Sequence, residues 1–220
     1  MTAPFAARVL YCSVVANEVR TLFEAARAGA NAVILRGHDD LDRQIRSAVA
    51  DAVEDNTALL AMSELAPLIP RGVQPIVEYC LAHGREHLDV DTVARELRCH
   101  RNTLAYRLSS ARLPPLSEMI AWSQLLLAAA LLDGSGYSAR AMARMLSFPS
   151  GSAFRATLRR YTHLTPRQLQ KAGGYRLLLQ RFCSRLEQSL SAGRVAESAD
   201  SGVEVPVSLA DRVEREEPMA

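Results

Sequence analysis

Lysine is almost missing from these 220 residues: Lys171 is the single one, and the rest of the 26 basic side chains are arginine. Positive charge carried by guanidinium suits forked contacts with phosphate or guanine better than diffuse point-charge attraction. The Ala, Arg and Leu bias is equally what a GC-rich genome produces, so composition alone names no partner. The four cysteines, Cys12, Cys80, Cys99 and Cys183, contain no CxxC pair, which argues against zinc-ligand spacing and a disulfide framework. Reduced thiols in a cytoplasm are expected. The N-terminus lacks a charged region followed by an apolar stretch and a cleavage site, so export is not expected. The most apolar run, Met119 to Leu132, is broken by Ser123 and Gln124 and falls short of the roughly 20 residues that cross a bilayer. No membrane partner is expected.

A catalytic constellation is also lacking, because no nucleophile, base and carboxylate stand together in a recognisable pattern. An enzyme, a cofactor and a metal site are therefore not expected. His83 and His87 have a metal-like spacing but straddle Gly84. His100 reads as a helix-start residue, and Asp39, Asp40 and Asp42 read as helix caps rather than an acidic metal pocket.

What is present is a repeat. In DTVAREL, Val93, Ala94 and Leu97 recur at helical spacing; a break follows at Arg98 and Cys99, and HRNTLAYRLSSA carries Leu104 and Leu108 on one face. The plan recurs in SARAMARML, with Met142, Ala143 and Leu146, a break at Ser147 to Pro149, and SGSAFRATLRRYT with Phe154, Leu158 and Tyr161. Ala94 and Ala143 fall where two helices must cross closely, as in a helix-turn-helix. Each second helix exposes Arg, Asn, Thr and Ser, side chains that reach phosphates and base edges. The net charge is only +2, but the repeat is basic and the segment after Val195 is acidic.

At these residues the chain resembles the AraC/XylS family of bacterial transcription regulators, whose DNA-binding domain is two helix-turn-helix units joined by one long helix. The second unit, ARAMARMLSFPSGSAFRATLRRYTHLTPRQL, is similar to that family's closing signature through Phe148, Phe154 and Leu164-Thr165-Pro166. The first unit's HRNTLAYRL resembles the helix-turn-helix of PucR-type regulators. Two positions depart from the AraC/XylS pattern: Ser147 stands where the family places Gly, and Tyr106 where it often has Arg. The resemblance implies double-stranded DNA as partner, with RNA polymerase as a further one. By register it puts Asn102, Thr103, Ser152, Arg155 and Ala156 on the groove-facing side and Arg107, Arg159 and Arg160 at phosphates. Arg101, Tyr106 and Ser150 complete the candidate DNA-binding set.

The expected fold class is mainly α: two helix-turn-helix units joined by a connecting helix, preceded by a small partial α/β unit. Residues 1–55 read as strand, helix, strand, helix: Val9 to Cys12, Asn17 to Ala28 closed by Gly29, Ala32 to Leu35, and Leu41 to Val53 with Leu41, Ile45, Ala48 and Val49 inward. Their order is similar to the last part of a receiver domain, with Ser13 at the switch position and Arg36 for the usual Lys; no strand carries a phosphoacceptor Asp. Two parallel strands cannot bury both faces, so this unit pairs with a second copy, packs on the helical part, or continues upstream. A homodimer through it is the preferred expectation.

Residues 56–73, with Pro67, Pro70 and Gly72, read as a linker. Residues 74–172 form the DNA-binding domain, entered by a helix with Ile76, Val77 and Cys80 buried. Its connecting helix follows Pro114 and Pro115, is capped by Ser117, and runs over Met119 to Leu132. A Thr165, Pro166, Gln168 capping box opens a short helix that closes the domain. A helix over 173–190 and a disordered acidic tail over 191–220 are expected. The competing reading of the whole is a protein-interaction adaptor whose helix-turn-helix units no longer bind DNA.

Overall fold

A computed structural model describes residues 9–12, 24, 27–30, 32–35, 41–135 and 138–200. Two short strands, β1 (Val9–Cys12) and β2 (Ala32–Leu35), pair in parallel with Val9 opposite Ala32 and Cys12 opposite Leu35. Gly29 closes the turn before β2 at φ 79°, in the left-handed region that glycine enters without a Cβ clash. Most of the helix expected between the strands, Asp39 and Asp40, and Ser13 and Arg36 lie outside the described residues. From Leu41 onward the described chain is helical: α1 (Leu41–Leu65), α2 (Gln74–Ala82), α3 (Val90–Glu96), α4 (Arg101–Ser110), α5 (Leu116–Ser135), α6 (Ala139–Met145), α7 (Gly151–Thr162), α8 (Pro166–Lys171) and α9 (Gly174–Asp200). The fold is mainly α.

The connecting helix α5 organises the rest because it is apolar around most of its circumference. Every residue from Leu125 to Leu132 is buried, as are Met119, Ile120, Trp122 and Ser123. Ser123 satisfies its hydroxyl locally by donating to the Ile120 carbonyl at 2.8 Å. The helix starts at Leu116, so Ser117 lies inside the first turn and does not cap it; Pro115 ends the preceding chain instead. By length and composition Leu116–Asp133 is apolar enough to cross a membrane, but 72% of that window is buried against other helices. Its length thus exceeds the expected Met119 to Leu132.

Around α5 pack α1, α2, α8 and α9. Val53, Thr57, Ala61 and Leu65 of α1 recur every four residues and are all buried, which is one stripe of a helix facing the core. This corrects the expected linker: α1 continues through Leu65, and Ile69 and Val73 beyond it are buried too. The prolines Pro67 and Pro70 mark a bend after the helix, which Gln74 closes by donating to the Ala66 carbonyl at 3.0 Å. Ile45, expected to face inward, is 39% exposed; Ala48 is buried and Val49 half-buried.

The last helix also runs further than expected, to Asp200, so residues 191–200 are helical; residues 201–220 lie outside the described residues. Its inward stripe is Tyr175, Leu178, Phe182 and Leu186. Asp133 at the end of α5 accepts from the Tyr175 N–H at 2.8 Å and holds the start of α9. A Cβ on Gly174 would collide with that carboxylate, and Gly174 also has φ 51°, so glycine is required there. Arg185 grips Glu118 with two bonds, Nε to Oε1 at 2.8 Å and Nη2 to Oε2 at 3.3 Å, joining α9 to α5. The phenol of Tyr175 donates to the Thr57 carbonyl at 3.2 Å, which locks α9 onto α1.

Candidate nucleic-acid interface

In the first unit, α3 and α4 cross at Ala94, which is 6% exposed, beneath Val93, Leu104 and Leu108, all buried. The Asp89 carboxylate caps α3 by accepting from the Thr92 N–H at 2.7 Å. Two turn bonds end that helix, Cys99 N–H to the Ala94 carbonyl at 2.9 Å and Arg98 N–H to the Arg95 carbonyl at 3.1 Å. This closure requires a left-handed residue between them, and Arg98 takes it at φ 50°. His100 then caps α4, its Nδ1 accepting from the Asn102 N–H at 3.2 Å.

The second unit repeats the geometry with other residues. Ala143 is 2% exposed, and Met142, Leu146, Phe154 and Leu158 are fully buried. The Phe148 N–H bonds the Ala143 carbonyl at 2.8 Å, and Ser147 is the left-handed residue at φ 56°. Phe148 meets Phe154 edge to face, 5.5 Å between ring centres, sealing the turn onto α7. Ser138 caps α6 and Ser150 caps α7, accepting from the Ala141 and Ala153 N–H groups at 3.3 and 3.1 Å. Ser150, placed in the candidate set, thus uses its oxygen as an acceptor for the helix and keeps its O–H to donate.

With Leu104 and Leu108 buried, the exposed strip of α4 is set by about 100° per residue. Opposite the buried pair Tyr106 is central, Asn102 and Ser110 lie about 40° from it and Ser109 and Thr103 about 60°, while Arg107 is at the edge and Arg101 is at the helix start toward the buried side. All are exposed, and Tyr106 stands out at 72%. On α7 the same construction from Phe154 and Leu158 centres Ala156, with Ser152 and Arg160 about 40° to either side, Arg159 about 60° away and Arg155 at the edge. Thr103, expected to face the groove, lies within the exposed strip of α4, and Arg159 and Arg160, expected at phosphates, lie within that of α7. Arg155 donates to the Ser152 hydroxyl at 3.1 Å, and Arg160 lies over the Tyr161 ring, 5.5 Å from its centre.

Sequence reasoning missed a cleft. Arg140 and Arg144, one turn apart on α6, join Arg155, Ser150 and Ser152 around an opening of about 460 Å³ at the start of α7. Its signal was legible as the i, i+4 pair in SARAMAR. At the matching place on α3 stand Asp91 and Arg95, and Asp91 pairs with Arg101 at 3.7 Å, so an acidic residue takes the place of the first arginine of that pair.

The far end of α7 is supported by α9, where Arg181 donates to the Thr162 carbonyl. Trp122 of α5 lies between Phe182, stacked at 5.2 Å, and Tyr161 at 5.8 Å; its buried indole N–H has no hydrogen-bond partner. The expected capping box is present: Thr165 accepts from the Gln168 N–H at 3.3 Å, and the Gln168 side chain accepts from the Thr165 N–H at 2.8 Å. His83 stacks on Tyr79 and bonds its carbonyl. Among the described residues no group of three His, Cys, Asp or Glu could hold a metal. Cys80, Cys99 and Cys183 are free, and burial pushes the Cys80 thiol up to about 12, leaving it unreactive.

Residues 93–172 match the model of a family described as a helix-turn-helix domain. The segment is an AraC-type helix-turn-helix domain, a DNA-binding module of transcription regulators. No curated protein and no solved structure matches the chain.

Proposed function

We propose that the protein is a sequence-specific transcription regulator that inserts α4 and α7 into successive major grooves on one face of a duplex, about 34 to 36 Å apart. One observation carries the reading: two exposed strips on two second helices, each set behind a buried alanine crossing and related by an internal repeat. The strips differ in chemistry, and so do their roles. Asn102, Tyr106 and Thr103 on α4 supply hydrogen-bond and apolar choices at base edges, as Ser152, Arg155, Ala156 and Arg159 do on α7. Arg140, Arg144 and Arg160 of the second unit, with Arg101 and Arg107 of the first, contact phosphates and make binding salt-dependent. The rigid, buried α5 fixes the spacing. The site is cytoplasmic in this reading, RNA polymerase is a protein partner, and a homodimer forms through the residues around β1 and β2.

Selection of bound fragments from sheared genomic DNA at physiological salt tests this, comparing the intact chain with an Arg155→Ala, Arg159→Ala double variant. A few enriched fragments, lost in the variant, are expected. Arg155→Ala alone should weaken specific binding by roughly 1 to 3 kcal/mol if Arg155 reads a base; an equal loss on random DNA would make it a phosphate contact. Tyr106, a large and exposed aromatic, favours the second reading of a protein-interaction adaptor. Capture of a protein partner with no DNA enrichment would select that reading.

A further inference from the structure

The loop between α2 and α3 leads into the first unit, yet it touches the turn of the second. Gly84 is buried against α5, where a Cβ would stand 3.3 Å from Leu127 Cδ2, so the loop crosses the connecting helix closely. One residue later the Arg85 carbonyl accepts from the Ser147 hydroxyl at 3.0 Å, across 62 positions of sequence. Arg85 is itself held from behind by α1. Its N–H donates to Glu54 Oε1 at 2.9 Å, its Nε lies 3.9 Å from Glu54 Oε2, and its Nη1 pairs with Asp51.

The second unit has few such ties. Among the described residues, the hydrogen bonds that leave α6 and α7 for other elements are Ser147 to Arg85 at the turn and Arg181 to Thr162 at the far end. Ser147 occupies a left-handed position where glycine is intrinsically favoured by sterics. A glycine there would lack the hydroxyl that reaches Arg85. The serine thus sets a local backbone cost against a long-range bond.

We propose that Arg85 is a positioning residue which, through Ser147, ties the second unit's turn to α1 and the first unit's leading loop and so sets the separation of the two recognition helices. The consequence for DNA rests on the function proposed above; the tie itself does not. Operator spacing is then a property of Arg85 and Ser147, neither of which needs to touch DNA. Glu54, whose carboxyl is raised by burial while the Arg85 N–H and guanidinium oppose that rise, anchors the other end.

Ser147→Gly separates this role from simple stability, because it relieves the left-handed strain while deleting the hydroxyl. Arg85→Ala deletes the anchor on Asp51 and Glu54 while keeping the carbonyl. Nitroxides on keto amino acids at the exposed positions Glu96 (α3) and Arg144 (α6) give the distance between units in the free protein. The wild type should show one narrow distance, and both variants a broader or shifted one, with the Ser147→Gly melting temperature unchanged or higher. Identical distributions in all three overturn the tie. On unlabelled protein, a selected operator is then lengthened or shortened by one base pair, which shifts a half-site by about 3.4 Å along the axis. Ser147→Gly should lose about fivefold of the wild-type discrimination between spacings, the worth of one hydrogen bond. Altered distances with an unchanged spacing profile overturn the assignment of operator spacing to Arg85. Sequence-indifferent binding by the wild type would refute the DNA reading, while the distances would still decide the tie.

Discussion

The two helix-turn-helix units share a backbone plan but not a chemistry. Position 94 corresponds to 143 and position 104 to 154, so the second turn holds one residue more, Pro149. The first unit is capped by ionisable side chains, Asp89 and His100, and its α3 carries Asp91 against Arg101. The second is capped by Ser138 and Ser150 and surrounds the start of α7 with Arg140, Arg144 and Arg155. It also has the aromatic seal of Phe148 on Phe154, where the first has Cys99 and Leu104. The difference teaches that one backbone plan can carry two surfaces, a more basic one around the start of α7 and a more mixed one on α3 and α4.

The largest effect expected is structural. Phe154→Ala should destabilise the domain by about 3 to 5 kcal/mol, since the ring is fully buried and its removal leaves a cavity beneath the turn. Leu104→Ala, its counterpart in the first unit, should cost about 2 to 5 kcal/mol. Denaturant unfolding of both would rank them, and a larger loss at Leu104 would remove the special status of the aromatic seal.

Next comes the division of charge. Replacing Arg140 and Arg144 together by alanine should reduce the slope of log affinity against log salt by about 0.9 for each phosphate no longer neutralised. The same treatment of Arg101 and Arg107 should reduce it less, because Asp91 already engages Arg101. Equal slopes from titrations at several salt concentrations would abolish the contrast. A smaller effect belongs to the first unit: Asn102→Ala should cost roughly 1 to 3 kcal/mol on the selected site and little on random DNA. Competition binding with both DNAs measures it, and a uniform loss would place Asn102 on the backbone.

The smallest prediction concerns acid. Bonds from the Thr92 N–H and hydroxyl hold the Asp89 carboxyl below its ordinary value. A lowered folded value means that the cap's contribution is complete above the unfolded carboxylate range, about pH 4, and is lost as pH falls through the lowered value. Ser138 takes up no proton there. Amide exchange in α3 should therefore rise in acid before that in α6, and simultaneous loss would show that the caps do not distinguish the units.

Much of this was legible in the sequence because it is local. The Val93, Ala94, Leu97 spacing, the repeat of it at Met142, Ala143 and Leu146, and the Thr165 to Gln168 box each report on a few neighbouring residues. Strand positions Val9–Cys12 and Ala32–Leu35 were legible as short apolar runs for the same reason. What was not legible depends on partners far along the chain. Residues 56–73 look like a linker until Ala61, Leu65, Ile69 and Val73 are seen in the core beside α5. Ser147 looks like a defect in the turn until its hydroxyl is found on Arg85.

The most direct test of the whole account is a hydroxyl-radical footprint of the intact protein on a fragment it selects. Two protected patches on one face of the duplex, centred about 10 base pairs apart, with Arg140→Ala, Arg144→Ala weakening one patch and Asn102→Ala the other, are the predicted result. A single protected patch, or protection that follows no sequence, would contradict the claim that both recognition helices enter DNA.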